Sequence, residues 1–330
     1  MSPLTWVVGR GGLLGACVER TLDSPVWRPE LGFPWNKPQP LRESIAEAVR
    51  GFRDRILTES WDSWCVYWCA GRGVVGASAA SLAAETATLQ FFLDRLGGEL
   101  ASPRPAVSGR IFLVSSAGGL YGGSDQHPST EETPPRPISD YGRAKLDQEQ
   151  ALRDWVKLRP HVSTLVGRLS NLYGPGQHID KPQGLISHMS RCVIFGVPIQ
   201  IYVPLDTIRD YLFAQDAAKQ INAGMTRLGR ESSSGGREVI KVYSSGKETT
   251  VAGLIGVYRQ IAKRHLRVVL GLSPARSQQP ARLQFRSIVW CDEPAIPGTE
   301  LFDGVSRLHR YQLALFQAGK LPPPWSAQAA

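Results

Sequence analysis

Cysteine is scarce in this chain. The five residues Cys17, Cys65, Cys69, Cys192 and Cys291 are odd in number and scattered, which fits free thiols in a reducing cytoplasm better than a disulfide framework. Cys65 and Cys69 sit in the apolar run Trp64–Ala70, which reads as a buried strand rather than a metal knuckle, and no metal site is expected. No stretch approaches the ~18 uninterrupted apolar residues that span a membrane. The N-terminal 22 residues lack a basic leader and are broken by glycines and Arg10, so they do not read as a secretory signal. A cytoplasmic location is therefore expected. Net charge is +9, but the arginines are dispersed and no basic block alternates with aromatics, which disfavours a nucleic-acid partner. The excess charge suits a small anionic substrate instead.

What the chain does contain is alternation. Hydrophobic residues make up 42% and charged residues 20% of its 330 positions, enough for a sizeable core. The run Trp6-Val7-Val8 predicts a strand that enters the glycine turn Gly9-Arg10-Gly11-Gly12-Leu13-Leu14-Gly15 and then a helix over 16–22. Strand, glycine turn and helix together let a pyrophosphate approach backbone N–H groups at the helix start. Pro25–Trp27 predicts a very short strand, followed by a Pro/Trp-rich loop. Ile45, Val49, Phe52 and Ile56 recur at helical spacing, and no strand is evident between that helix and Trp61. Strands follow at 63–70, 109–115 and 162–168, separated by a helix over 79–96, a loop at Arg104-Pro105 and a helix around Tyr141. Beyond residue 172 the pattern loosens into a helix over 184–195, strands at 199–203, 209–213 and 238–243, and helices over 251–264 and 299–318. The tail after Leu321 reads as frayed. Strand–helix alternation with glycines and hydroxyls at strand ends predicts an α/β fold built on a doubly wound parallel sheet.

The chemistry concentrates at Tyr141-Gly142-Arg143-Ala144-Lys145. With Ser139 or Asp140 as cap, Tyr141 and Lys145 share one helical face. An ammonium there favours phenolate and draws the phenol down from its usual value of about 10, so that Tyr141 exchanges a proton with an alcohol or ketone. A seryl hydroxyl from Ser115-Ser116 would hold the substrate oxygen.

Taken in order, the glycine turn, the Ser-Ser strand end, Tyr141-x-x-x-Lys145, the run Arg168-Leu169-Ser170-Asn171-Leu172-Tyr173-Gly174-Pro175-Gly176, and Arg209-Asp210-Tyr211 before Asp216-Ala217-Ala218 resemble the extended short-chain dehydrogenase/reductases, the NAD(P)-dependent nucleotide-sugar epimerase/dehydratase family. The resemblance covers roughly residues 4–318. It implies a nicotinamide cofactor, NAD or NADP, on Gly9, Arg10, Gly12, Leu13, Leu14 and Gly15. Ala70, Gly71 and Ser115 would lie farther along it, and Lys145 would hold its ribose beside Tyr141. Tyr141 would be the acid/base, with Ser116 as the first choice of assisting hydroxyl and Ser115 as the second. Ser116, Asn171 and Arg209 would meet the substrate, a nucleotide sugar, with Arg209 gripping its diphosphate.

The residues implied for the cofactor domain are 1–172, with 205–220 and part of 238–265 returning to it. The resemblance implies a Rossmann-like fold in which residues 173–330 would form a smaller α+β C-terminal substrate lobe, and it implies a homodimer through helices around Ala84 and Leu146. The departures narrow the chemistry. Counting back from Tyr121, the usual serine slot is Ala117. Ala117-Gly118-Gly119 carries no carboxyl group, which disfavours dehydration. The Ser-Ser-Cys start and catalytic histidine of the 3,5-epimerase/reductases are also absent, and His178 and His188 read as solvated or structural. Glu30 would favour NAD, whereas Arg28 and Arg10 would favour NADP. The resulting expectation is epimerisation through a transient ketone, with an NADPH-dependent keto-sugar or carbonyl reductase, or a non-catalytic nucleotide-binding regulator, as the other readings.

Overall fold

The computed structural model describes residues 2–100, 107–178, 184–232, 235–263, 265–271, 279–292 and 296–324. The loop at Arg104-Pro105 and the last residues of the tail lie outside them. The chain opens with β1 (Leu4–Val8), α1 (Leu13–Arg20), β2 (Val26–Trp27) and α2 (Pro38–Thr58), then β3 (Ser63–Trp68), α3 (Ala79–Leu100) and β4 (Ser108–Ser116). A single-turn helix α4 (Ala117–Leu120), α5 (Asp140–Val156), β5 (Val162–Leu169) and β6 (Asn171–Tyr173) follow. The remainder is α6 (Leu185–Phe195), β7 (Ile199–Ile201), β8 (Ile208–Arg209), β9 (Tyr211–Phe213), α7 (Ala214–Glu231), β10 (Glu238–Tyr243), β11 (Thr249–Thr250), α8 (Val251–Ala262), β12 (Val268–Leu270) and α9 (Leu301–Gln317).

Six parallel strands form the central sheet in the order β2-β1-β3-β4-β5-β10. Buried side chains of α2, α3 and α5 cover one face; α1 and α7 cover the other. Coverage on both faces explains why β1 and β5 are buried at every position. The first half of the sheet contributes two strands, since α2 leads straight across β1 into β3 with no further edge strand between. That edge is held by aromatic packing. The Trp6 ring lies 4.9 Å from Trp27, 5.3 Å from Phe52 and 5.4 Å from Phe92, so the two-residue β2 is anchored by its indole more than by its ladder. Strand order reverses between β1 and β3, and ligands of such sheets bind outside the strand ends at that switch point.

A second core gathers Tyr173, α6, α8 and α9. The segment predicted as one strand over 209–213 is split at Asp210. β8 pairs antiparallel with β11 and β9 pairs parallel with β6, because the Asp210 carboxylate turns inward to accept from Ser245 N, Ser245 Oγ and Gly246 N at 2.8–2.9 Å. The strand predicted at 199–203 stops at Ile201. No helix among the described residues is long and apolar enough to cross a membrane. All five thiols are unbridged, and burial pushes Cys65 to about 11 and Cys69 to about 12.

Candidate functional site

The glycine turn packs against the end of β3. Gly9 adopts φ +86°, and a Cβ there would sit 2.6 Å from the Ala70 nitrogen. A Cβ on Gly15 would be 2.3 Å from the Gly9 carbonyl oxygen, so α1 closes down onto the turn only because glycine occupies both positions. A Cβ on Gly11 would meet nothing within 4 Å among the described residues, and the N–H groups of Leu13 and Leu14 in the first turn of α1 have no intrahelical acceptor. A helix start bare of side chains and rich in open N–H groups fits a pyrophosphate. His178, from the loop after β6, places Nε2 3.0 Å from the Gly11 carbonyl oxygen. It is exposed, and it touches the very turn that the sequence associates with phosphate.

From Ala70 the chain passes to Gly71, and the second half of the site begins there. A Cβ built on Gly71 would lie 3.4 Å from Glu85 Oε2 and 3.8 Å from Lys145 Nζ. Glu85, on α3, accepts from the backbone N–H groups of Arg72 and Gly73 at 2.6 and 2.7 Å, fixing the strap that leaves β3. Ser139 caps α5 by accepting from Gly142 N at 3.2 Å, which starts the helix one residue before Tyr141. Tyr141 and Lys145 then project from one face, with Nζ 5.9 Å from the Tyr141 ring centroid. Lys145 is buried and donates to Gln148 Oε1 at 2.9 Å and to the Val114 carbonyl at 3.4 Å.

Strand alternation separates the two serines. Ser116 lies beside the Tyr141 phenol, and its hydroxyl favours the phenolate; its Oγ caps α4 by accepting from Gly119 N at 3.1 Å. A Cβ on Gly142 would meet the Gly119 carbonyl oxygen at 2.2 Å; without side chains at these two positions α4 approaches α5 closely enough for that hydroxyl to reach the phenol. Ser115 turns the other way, donating to Glu149 Oε1 at 2.5 Å inside the core. Ala117 is fully buried with Tyr121, Val242, Leu283 and Phe285, so the slot counted from Tyr121 faces packing rather than the cleft.

The electrostatics differ from the sequence expectation in one respect. Burial raises the Tyr141 phenol above its ordinary value; the Ser116 hydroxyl opposes this and the Glu85 carboxylate adds to it. The phenol thus lies above its ordinary value rather than drawn down as anticipated, with the Lys145 ammonium donating to Gln148 and the Val114 carbonyl. Replacing Glu85 by Gln keeps an acceptor for Arg72 and Gly73 but removes the charge. The expected outcome is ionisation of Tyr141 at lower pH, measured as an acidward shift of the tyrosine-dependent limb of the turnover–pH profile, with Lys145 and Ser116 unchanged.

Farther out, Asn171 is exposed and its Nδ2 donates to the Asp210 carbonyl at 2.9 Å. Arg209 is half-buried and donates to the Ile208 carbonyl at 2.8 Å. Burial draws its guanidinium below the ordinary value, with Tyr211 opposing. No carboxylate bridges Arg209 among the described residues, and its neighbour Asp210 is committed to the 245–246 turn. Beneath the site lies a cluster that the sequence reading passed over. Arg168 of β5 forms a buried ion pair with Glu149 of α5 (2.7 Å) and donates to the Tyr121 hydroxyl at 2.6 Å. Glu149 was legible as the next i+4 position after Tyr141 and Lys145. Glu85 carried no comparable signal.

The fold and the glycine turn define a Rossmann-like protein. A profile described as NAD dependent epimerase/dehydratase family matches residues 55–234, more than half the chain, and the protein belongs to that family. The matched span holds Ser116, Tyr141, Lys145, Asn171 and Arg209 and leaves out the glycine turn. The chain is similar to dTDP-4-dehydro-6-deoxyglucose reductase of Escherichia coli, 33% identical over 146 residues, 44% of this chain and 43% of that one. It is also similar to dTDP-L-rhamnose 4-epimerase of Burkholderia thailandensis, 32% identical over 124 residues, 37% and 34% of the two chains. The match spans less than half the length of these relatives. Among solved structures it superposes on Thermus thermophilus UDP-glucose 4-epimerase in complex with NAD, with TM-score 0.72, 19% identity, and 93% and 98% of the two chains covered. RMD from Pseudomonas aeruginosa complexed with NADPH gives TM-score 0.74, 20% identity, and 95% and 99% coverage.

Proposed function

We propose that the protein is an NAD(P)-dependent enzyme that interconverts a secondary alcohol and a ketone on a nucleotide sugar, and that it epimerises the carbon concerned. One observation carries this reading: Ala70-Gly71 joins the two halves of the cleft, with Gly9 against Ala70 and Lys145 against Gly71. The glycine turn, Gly12, Leu13, Leu14 and Gly15 would hold the pyrophosphate, and Gly71 and Lys145 the nicotinamide end. The bound nicotinamide would accept a hydride and return it. Tyr141 takes the hydroxyl proton as the alcohol carbon loses its hydride and gives it back on reduction, while Ser116 orients the oxygen. Arg209, half-buried and with no bridging carboxylate among the described residues, suits a substrate diphosphate, with Asn171 beside it. Pairing of two chains through α3 and α5 belongs to the same proposal, supported by the exposed Ala79, Ala80, Ala83 and Ala84 on α3.

A second reading, reduction of a keto-sugar by NADPH, is favoured by the arginines beside the glycine turn. Incubation with UDP-glucose and, separately, with dTDP-4-dehydro-6-deoxyglucose, each with and without added NADPH, separates the two. Turnover of UDP-glucose to its epimer without added nicotinamide is the expected result for epimerisation. Product formation in strict proportion to NADPH consumed assigns the reductase instead.

A further inference from the structure

We propose that the adenosine end of this cleft is built for a 2′-phosphate, so that the chain takes NADP(H) in preference to NAD(H), with Arg10 and Arg28 making the choice. The inference rests on reading the cleft as a dinucleotide site. In a doubly wound sheet the adenosine ribose lies beside the end of the second strand, where a carboxylate selects the free 2′-hydroxyl and an arginine accommodates the phosphate. Here β2 ends at Trp27, in register with Trp6 of β1, and the next residue is Arg28. Glu30, the carboxylate that the sequence offers for the ribose, is exposed two residues farther on.

A second guanidinium converges on the same place from the glycine turn. Arg28 Nε donates to Glu19 Oε1 at 2.8 Å, and Arg10 Nη1 lies 3.8 Å from Glu19 Oε2. Glu19 belongs to α1 and is largely covered (14% exposed), whereas the side chains of Arg10 and Arg28 are 52% and 54% exposed. One carboxylate thus holds two cations at the mouth of the turn, leaving a net positive charge. Each Glu19 oxygen already faces a guanidinium. The hydroxyl of an unphosphorylated ribose must compete with an ion pair for that acceptor; a phosphate dianion instead gains the outer N–H groups of both arginines. Both side chains are exposed enough to pivot toward it.

Equilibrium titration of the purified chain with NADPH and with NADH, read by nicotinamide fluorescence, tests the inference without any substrate. Tighter binding of NADPH is expected, by about tenfold for each charge-assisted hydrogen bond. Arg28→Ala should weaken NADPH by a similar factor and leave NADH unchanged, and Arg10→Ala, which also alters the glycine turn, should weaken NADPH more than NADH. Adenosine 2′,5′-bisphosphate should displace NADPH better than adenosine 5′-phosphate, and this advantage should shrink with salt. Equal or tighter binding of NADH, or equal losses for both dinucleotides in the variants, overturns the 2′-phosphate site alone. Binding of neither dinucleotide overturns the dinucleotide reading as well.

Discussion

Tyr141→Phe is expected to lower turnover by about 10²–10⁴-fold, the range that a positioned acid/base supplies, with nicotinamide affinity retained. The substitution removes one oxygen and keeps the ring. That ring packs on α4, where a Cβ on Gly119 would touch its Cε1 at 3.1 Å, and the phenylalanine ring fills the same space. Ser116 loses its phenol partner but still caps Gly119 N, so α4 and the strand end have no reason to move. The expected signature is therefore a fall in kcat with an unchanged melting transition and unchanged dinucleotide titration. Lys145 does not substitute for the lost group, because its ammonium is held by Gln148 and the Val114 carbonyl. Wild-type turnover in Tyr141→Phe would remove the phenol from the chemistry and overturn the assignment of Tyr141 as the acid/base.

The parallel sheet was legible because β1, β3, β4 and β5 are short apolar runs, each followed by glycine or serine, and helices at 3.6-residue spacing separate them. The Tyr141–Lys145 face was legible because a four-residue spacing in a capped helix has one geometric outcome. What could not be read is set by contacts distant in sequence. Which of two adjacent serines faces the phenol depends on strand phase and on the Gly119–Gly142 approach. The rise in Tyr141 pKa depends on burial and on Glu85, 56 residues before it in the chain. The split at Asp210 depends on a turn more than 30 residues later. The Arg10–Glu19–Arg28 triad was half visible: both arginines were noted, but the carboxylate between them is placed by the pitch of α1 over β2.

Glu149→Ala is expected to cost about 3–5 kcal/mol of folding stability, the penalty for leaving a buried charge unpaired. Arg168 is 3% exposed and Glu149 2%. Burial alone would lower the guanidinium's pKa, yet the two hydrogen bonds and the charge of Glu149, with Tyr121, hold it above its ordinary value. With the carboxylate gone, Arg168 keeps the Tyr121 hydroxyl alone, and Ser115 loses its acceptor as well. The pair also ties β5 to α5 two turns beyond Tyr141, and through Tyr121 it ties both to α4. Loss of Glu149 should therefore loosen the register that brings Ser116 to the phenol. Urea denaturation should show a lower midpoint, with kcat falling more than dinucleotide affinity. Replacing both partners, Arg168→Met with Glu149→Leu, should recover most of the stability by removing the stranded charge, but not Ser115's lost acceptor. If Glu149→Ala shifts the midpoint no more than an exposed substitution does, then water reaches the guanidinium and the cluster does not organise the site.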